Sequence, residues 1–453
     1  MNCIFICVFN QEQYVDMFFI LLESIFIYGN LNNTDILVYT STPFMNKIQK
    51  SELMNDLIKF VINDTYDNIK KSCMARTDIF DLPISTYEKI LYLDTDILIK
   101  DDIQKIFDVC KEDILYVLEE GIIQREGESY WGNTLFNDDE MQLHKDKSAF
   151  TSGILLFNNC EKIKAFFKHT KQFIIDTNID FVCMDQPYII YNAFKHNIYD
   201  NQVLKNFVVN NDNNIHSNKV IHHFPGGPGV YDHKLKKMHA FLNNLNDYKI
   251  TTAIFMTKLY IQEHLIPIIA NCDELLEGNI FMNHHTCTFT DDYINKQQNI
   301  SLLVLNKNIK HVMEIGFNSG FSTLLMLLTN PTLQITCFDL GEHKYTIPCY
   351  TQIKTLFGNR LNLIIGNSKT ILPMIQDKYD LIHIDGGHST DVVISDIYNS
   401  YRLSKHGTIL IMDDYNFTNI HDIWNNFITI ALLQPLNICL YDTNLQSIKH
   451  VLL

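Results

Sequence analysis

Residues 90–99 read ILYLDTDILI, an apolar run broken by two aspartates, Asp94 and Asp96. The run predicts a buried strand, and charge inside such a strand needs something to offset it. Side chains alternate along a strand, so Asp94 and Asp96 project to the same side. Paired carboxylates at a strand end form half of a site for a divalent cation. The same stretch belongs to a series that sets the fold class. CIFICVF (3–9), DILVYT (35–40), KFVIN (59–63), KILYLDTD (89–96), DILYVLE (113–119) and GILLFN (153–158) all read as strands. Helical periodicity over 16–28 and 160–176 lies between them, which predicts βαβ units and a mostly parallel sheet.

The alternation stops near residue 240 and restarts at His311. HVMEIG (311–316), QITCFDLG (334–341), LNLIIGN (361–367), YDLIHIDG (379–386) and GTILIMDD (407–414) are five more strand-like runs, with helical stretches between them. The closing NICLYDTNLQSIKHVLL reads as an antiparallel pair at a sheet edge. The expected division is 1–240, a helical connector or cap over 241–300, and 301–453. A chain of 453 residues is too long for one ordinary core, which agrees with two α/β domains.

Composition narrows the function classes. Hydrophobic residues make up 46% and charged residues 19%, as in a folded soluble protein. The net charge of −16 argues against nucleic acid as a partner. The 11 cysteines include no Cys-x-x-Cys pair, so a structural zinc site is not expected and reduced thiols are. The opening MNCIFICVFNQEQY lacks a basic leader region and reads as a first buried strand, not a signal peptide. No run reaches the roughly 18 apolar residues of a membrane helix. The expected location is therefore the cytoplasm, or the host cytoplasm for a chain encoded by a large DNA virus.

Three further stretches complete the first site. FTSGILLFNN (150–159) is a polar turn leading into a buried strand. FVCMDQPYIIYNAF (181–194) places Asp185 and Gln186 at a helix start. VIHHFPGGPG (220–229) ends a strand in histidines and a glycine loop. A histidine at a strand end can be a third metal ligand, and the glycines let backbone approach phosphate. In this order the four motifs resemble glycosyltransferase family 8, the glycogenin-like retaining enzymes that use UDP-sugars. The resemblance implies a GT-A-type nucleotide-sugar fold, a UDP-sugar donor, a carbohydrate acceptor and Mn2+ held by Asp94, Asp96 and His223. His222, the neighbour of His223, faces the other way. Phe9, Asn10 and Tyr14 match the uracil-binding segment. Arg76 matches the basic residue near the donor, Ser152, Gly153 and Gly226 match the donor-sugar and phosphate turns, and Asp185 and Gln186 match the pair beside the anomeric carbon. Retention is implied, and whether either of that pair is a nucleophile stays open. The family's lysine six residues after the histidine is replaced by Gly229, and Lys234 is the candidate to take its place.

The second half begins with a strand, a glycine turn and a helix, spaced Glu314-x-Gly316-x-x-x-Gly320. Alone, that turn fits a dinucleotide or an adenosyl donor alike. Asp385, Asp413 and Asp414, at the ends of two successive strands, favour the second, because clustered carboxylates repel unless a cation joins them. His388 lies three residues beyond Asp385, placed to take a hydroxyl proton. This half resembles class I S-adenosylmethionine-dependent methyltransferases with a Rossmann-like fold, nearest to the metal-dependent sugar O-methyltransferases. The resemblance implies Glu314, Gly316 and Ser319 at the methionine end of the cofactor and Asp339 on its ribose. It implies Asn367 and Ser368 near adenine, Mg2+ on Asp385, Asp413 and Asp414, and His388 as base. The expected function is bifunctional: sugar transfer from a UDP-sugar and O-methylation of a sugar hydroxyl. The rival keeps one domain catalytic and makes the other a degenerate donor- or glycan-binding module. A homo-oligomer is neither required nor excluded.

Overall fold

The computed structural model describes residues 1–51, 53–124, 129–177, 179–226, 230–283, 286–435 and 449–452. The chain divides into two compact units, Met1–Asn244 and Leu245–Leu453.

The first unit is built on strands β1 (Asn2–Val8), β2 (Thr34–Thr40), β3 (Ile58–Ile62), β4 (Lys89–Leu93), β5 (Ile97–Ile99), β6 (Leu115–Ile122), β7 (Ser148–Asn158), β8 (Tyr199–Asp200), β9 (Val208–Asn210) and β10 (Ile221–His223). Its main sheet has the order β3-β2-β1-β4-β7-β6-β8, parallel from β3 to β4, with β7 antiparallel to both β4 and β6. Strand β1 is apolar on both faces because both are covered. Ile4, Ile6 and Val8 pack with Phe18, Leu21 and Ile25 of the helix Glu12–Tyr28. Cys3 and Phe5 pack in the opposite cluster, with Phe166 and Phe167 of the helix Glu161–Thr177 and Ile189 and Ile190 of the helix Gln186–Lys195. The chain order reverses between β1 and β4, so their carboxyl ends open a crevice.

Two sequence expectations are corrected here. The strand expected over 89–96 ends at Leu93, and Asp94–Asp96 form a turn before β5 joins a separate sheet, β5-β10-β9. The backbone crosses between sheets at that point. Asp94 N–H donates to Gly153 O at 2.8 Å, and Phe224 N–H donates to Asp96 O at 2.9 Å. Ser152 and Gly153, expected in a turn, lie inside β7, where its register against β6 shifts.

The second unit carries β11 (His311–Ile315), β12 (Gln334–Asp339), β13 (Leu361–Ile365), β14 (Tyr379–Ile384), β15 (Ser404–Met412), β16 (Gln434–Pro435) and β17 (Lys449–Leu452). The order is β13-β12-β11-β14-β15-β17-β16, parallel through β15 and antiparallel at β17. The helices Phe321–Thr329, Thr346–Phe357, Thr390–Leu403 and Thr418–Thr429 follow β11, β12, β14 and β15. Met313, Ile382, Ile384 and Met412 pack against Ile397 and Trp424 of the last two of these helices. Each motif strand stops short of its glycine or second acid, which the loop beyond it carries. The first strand of the expected terminal pair lies outside the described residues. The helices Tyr231–Tyr260, Ile266–Ala270 and Ile294–Leu305 account for the helical period read beyond residue 240.

Candidate active sites

In the first unit Asp94, Asp96 and His223 bring ligand atoms within 4.8 Å of one another. The small sheet does this, since antiparallel pairing of β5 with β10 sets His223 opposite Ile97, next to the aspartate turn. His223 Nδ1 meets Asn210 Oδ1 at 2.8 Å, which leaves Nε2 toward Asp96 Oδ1 at 3.4 Å. Asp96 Oδ1 is buried and makes no hydrogen bond. An outer acceptor that fixes one ring nitrogen and frees the other is the usual support of a metal-binding histidine. A Cβ on Gly153 would lie 2.9 Å from Asp94 Oδ2 and 3.1 Å from His223 Cε1, so only glycine keeps this hollow open. The donor set, with its orphaned oxygen and its glycine wall, fits a divalent cation. His222 points away, with Nδ1 at 3.0 Å from Asp212 O and its ring against Phe241.

Lys234, on the helix Tyr231–Tyr260, donates to Asp96 Oδ2 at 2.6 Å. Burial works against the Asp96 charge, but His223 and Lys234 hold its carboxyl below the usual range. A Cβ on Gly226 would come within 3.1 Å of Lys234 Cε, so Gly226 leaves room for that side chain.

Arg76 is the hub of the neighbouring residues. Its Nε lies 2.9 Å from Asp185 Oδ2, and its Nη1 donates to Ser152 O at 2.5 Å and lies 3.4 Å from Asp94 Oδ1. The guanidinium also sits over the Tyr92 ring at 4.8 Å. Gln186 Oε1 accepts from Ser152 N–H at 2.9 Å. Asp185 is buried, and burial pushes its carboxyl up to about 6 while Arg76 pulls against the rise. Phe9 is enclosed edge-on by Tyr39 and Tyr66, whereas Tyr14 is half-buried with its hydroxyl 3.3 Å from that of Tyr231. Asn10 holds a left-handed backbone, φ 71°, at the end of β1.

In the second unit the acids converge with a histidine that the sequence reading passed over. His383, Asp385 and Asp413 have ligand atoms within 4.8 Å of one another. His383 Nδ1 meets Glu314 Oε1 at 3.0 Å, because β11 and β14 pair these two residues in register. Its Nε2 is buried, makes no hydrogen bond and lies 3.4 Å from Asp413 Oδ2. Burial opposes a charge on His383, yet Asp413 and Glu314 raise it to about 10. Burial and the charge of Asp413 push Asp385 up to about 7. The acid pair fits a divalent cation, and His383 Nε2 can join it as a ligand only by giving up its proton on binding. Lys296, also absent from the sequence reading, pairs with Asp413 Oδ2.

Asp414, expected among the metal ligands, lines the same recess as Asp385 and Asp413 and pairs with His388. Its backbone is left-handed, φ 52°, and its Oδ2 meets His388 Nε2 at 2.7 Å. Glu314, expected along the cofactor, is fully buried and accepts from Ser322 at 2.6 Å and from Thr323. Asp339 Oδ2 accepts the N–H groups of Phe317 and Asn318, both at 2.8 Å, and so stiffens the glycine turn. Ser319 is buried in that turn. Gly316, φ 96°, is required because a Cβ there would lie 1.9 Å from Asp385 O. Asn367 accepts from Lys369 N–H at 3.0 Å and caps the short helix that starts at Ser368. Asp396 lines the recess shared by Asp385, Gly386, His388, Asp413 and Asp414, and burial pushes its carboxyl up to about 6.

Two α/β sheets, each with acids gathered near the carboxyl ends of its strands, give the chain a GT-A-type fold first and a Rossmann-like fold second. The chain carries a glycosyltransferase region and a methyltransferase domain: residues 30–224 match the model of glycosyl transferase family 8, and residues 313–415 match that of a methyltransferase domain. No curated protein matches the chain. Among solved structures it is similar to the galactosyltransferase LgtC in complex with donor and acceptor sugar analogs, at 16% identity over 53% of this chain and 96% of that one, TM-score 0.39. It is similar to mouse xyloside xylosyltransferase 1, at 10% identity over 49% of this chain and 98% of that one, TM-score 0.37. It is also similar to the O-methyltransferase TomG of Streptomyces achromogenes in complex with SAM, at 13% identity over 34% of this chain and 76% of that one, TM-score 0.28.

Proposed function

We propose that this chain builds and decorates a glycan. The first unit transfers a sugar from a UDP-sugar to a carbohydrate acceptor with retention, and the second methylates a sugar hydroxyl with S-adenosylmethionine. The observation that carries the reading is the paired gathering of acids and a histidine at each sheet edge, with each histidine steadied at Nδ1 by a side-chain oxygen. A divalent cation, Mn2+ in the first unit and Mg2+ in the second, would offset charge on a leaving diphosphate and lower the pKa of an acceptor hydroxyl.

The remaining work falls to the chain's own groups. Asp94, Asp96 and His223 would hold the first cation. Arg76 fixes Asp185 and Ser152, and Ser152 fixes Gln186, so the pair beside the anomeric carbon is locked in place before any donor arrives. Tyr14 offers an aromatic face for a base. In the second unit Asp385 and Asp413, with His383, would hold the cation. Gly316, Ser319, Asp339, Asn367 and Ser368 surround the adenosyl donor. His388 accepts the proton of the acceptor hydroxyl, and Asp414 at 2.7 Å stabilises the charge it gains. Among the described residues no helix is long and apolar enough to cross a membrane, and the described cysteines are free thiols, which suits a reducing, cytoplasm-like compartment.

The test is hydrolysis of a panel of UDP-sugars with Mn2+, alongside methyl transfer from S-adenosylmethionine to sugar acceptors. Hydrolysis is expected to disappear in Asp94→Ala with Asp96→Ala, and methyl transfer in His388→Ala. Hydrolysis that survives the double substitution refutes the first half, and methylation that survives Asp385→Ala refutes the metal in the second.

A further inference from the structure

The acid cluster of the second unit already contains a cation of the chain's own. Lys296 comes from the helix Ile294–Leu305, far upstream of the motifs that mark the site, and its ammonium pairs with Asp413 Oδ2. The oxygen it occupies is the one that His383 Nε2 faces at 3.4 Å. A buried carboxylate oxygen cannot serve an ammonium and a divalent ion at once without strong like-charge repulsion. The first unit repeats the arrangement independently: Lys234 sits on Asp96 at 2.6 Å, with both side chains nearly closed to solvent.

We propose that Lys296 is the resident counter-ion of the methyltransferase site, and that a divalent cation loads by displacing its ammonium from Asp413. Lys296 is then a positioning residue that sets how tightly metal binds. Its unbranched four-carbon stem lets the head leave without moving the helix. The inference rests on the methyltransferase reading of this unit, and the experiment separates the two.

The full chain carrying Asp94→Ala and Asp96→Ala, which silences the first cluster, is titrated calorimetrically with Mg2+ and with Mn2+ alone. Binding of S-adenosylhomocysteine is measured in parallel. Adding Lys296→Met is expected to tighten cation binding about tenfold, because the competitor is gone. The cation should also raise the thermal midpoint of that variant more than that of its parent, because it replaces the ammonium that Asp413 has lost. Lys296→Arg keeps the charge and should behave as the parent. Should Lys296→Met fold only with cation present, that supports the proposal, and failure to fold in both conditions counts against it. Unchanged or weaker cation affinity in Lys296→Met, with S-adenosylhomocysteine still bound, overturns the inference and leaves the methyltransferase reading standing. A parent chain that binds no S-adenosylhomocysteine overturns that reading, and the inference with it.

Discussion

Gly153 shows how little room the first site leaves. Its missing side chain is the space between Asp94 and His223, with a virtual Cβ only 2.9 Å from Asp94 Oδ2. Gly153→Ala should therefore weaken Mn2+ binding by at least about tenfold while the fold stays intact. A manganese titration that matches the parent would show that the hollow is not the metal's. Asp396 makes a prediction about pH. Its carboxyl is raised to about 6 by burial, so the folded chain holds that proton longer than the unfolded chain does. The sign follows: the penalty is absent below the ordinary carboxylate range and complete once pH passes the folded value. Asp396→Asn should be more stable than the parent by roughly 1–3 kcal/mol near pH 8, with the gap closing near pH 4. Denaturant melts at the two pH values test it. At this scale the sequence was unevenly legible. His383 was within reach, since it stands two residues before Asp385 and the alternation used for Asp94 and Asp96 applies equally. Lys296 carries no such signal, because only the tertiary fold brings its helix to the acids.

Elements explain why the aspartates meet a histidine at all. Apolar residues stand on both sides of Asp94–Asp96, so the pattern reads as one strand and conceals the break at Leu93 where the chain leaves one sheet for another. The two carboxylates converge through that turn and the β5–β10 pairing, not through alternation along one strand. The motif strands of the second unit were overread in the same direction: Gly316, Asp385 and Asp413 lie just beyond the strand ends, though their N–H groups still bond to the neighbouring strands. The alternation of strands and helices was legible throughout, because it reflects burial, which one-dimensional patterning records well. Strand β9 contributes through Asn210 alone, whose Oδ1 holds His223 Nδ1 at 2.8 Å. Asn210→Ala should lower Mn2+ affinity by about 10- to 100-fold with no direct ligand removed. Equal affinities by calorimetry would mean that the ring needs no such anchor.

The whole molecule joins two complete sets of acids, and each lies within its own compact unit. Loss of one set should then spare the other. Asp94→Ala with Asp96→Ala should abolish UDP-sugar hydrolysis and leave S-adenosylhomocysteine affinity within about twofold, well inside the range expected of independent sites. Asp413→Asn should do the reverse, removing methyl transfer while hydrolysis continues. If one activity is missing from the parent under every donor tried, that unit is a binding module and only the other is a catalyst.

The close approach at Gly316 has a mechanical meaning of its own. With the Asp385 carbonyl only 1.9 Å from where a Cβ on Gly316 would stand, the glycine turn after β11 and the turn that begins the acid loop lean on one another back to back. Neither can flex alone. On the proposed reading, a donor that quiets the first turn would stiffen the second with it, and donor binding and cation binding would be coupled.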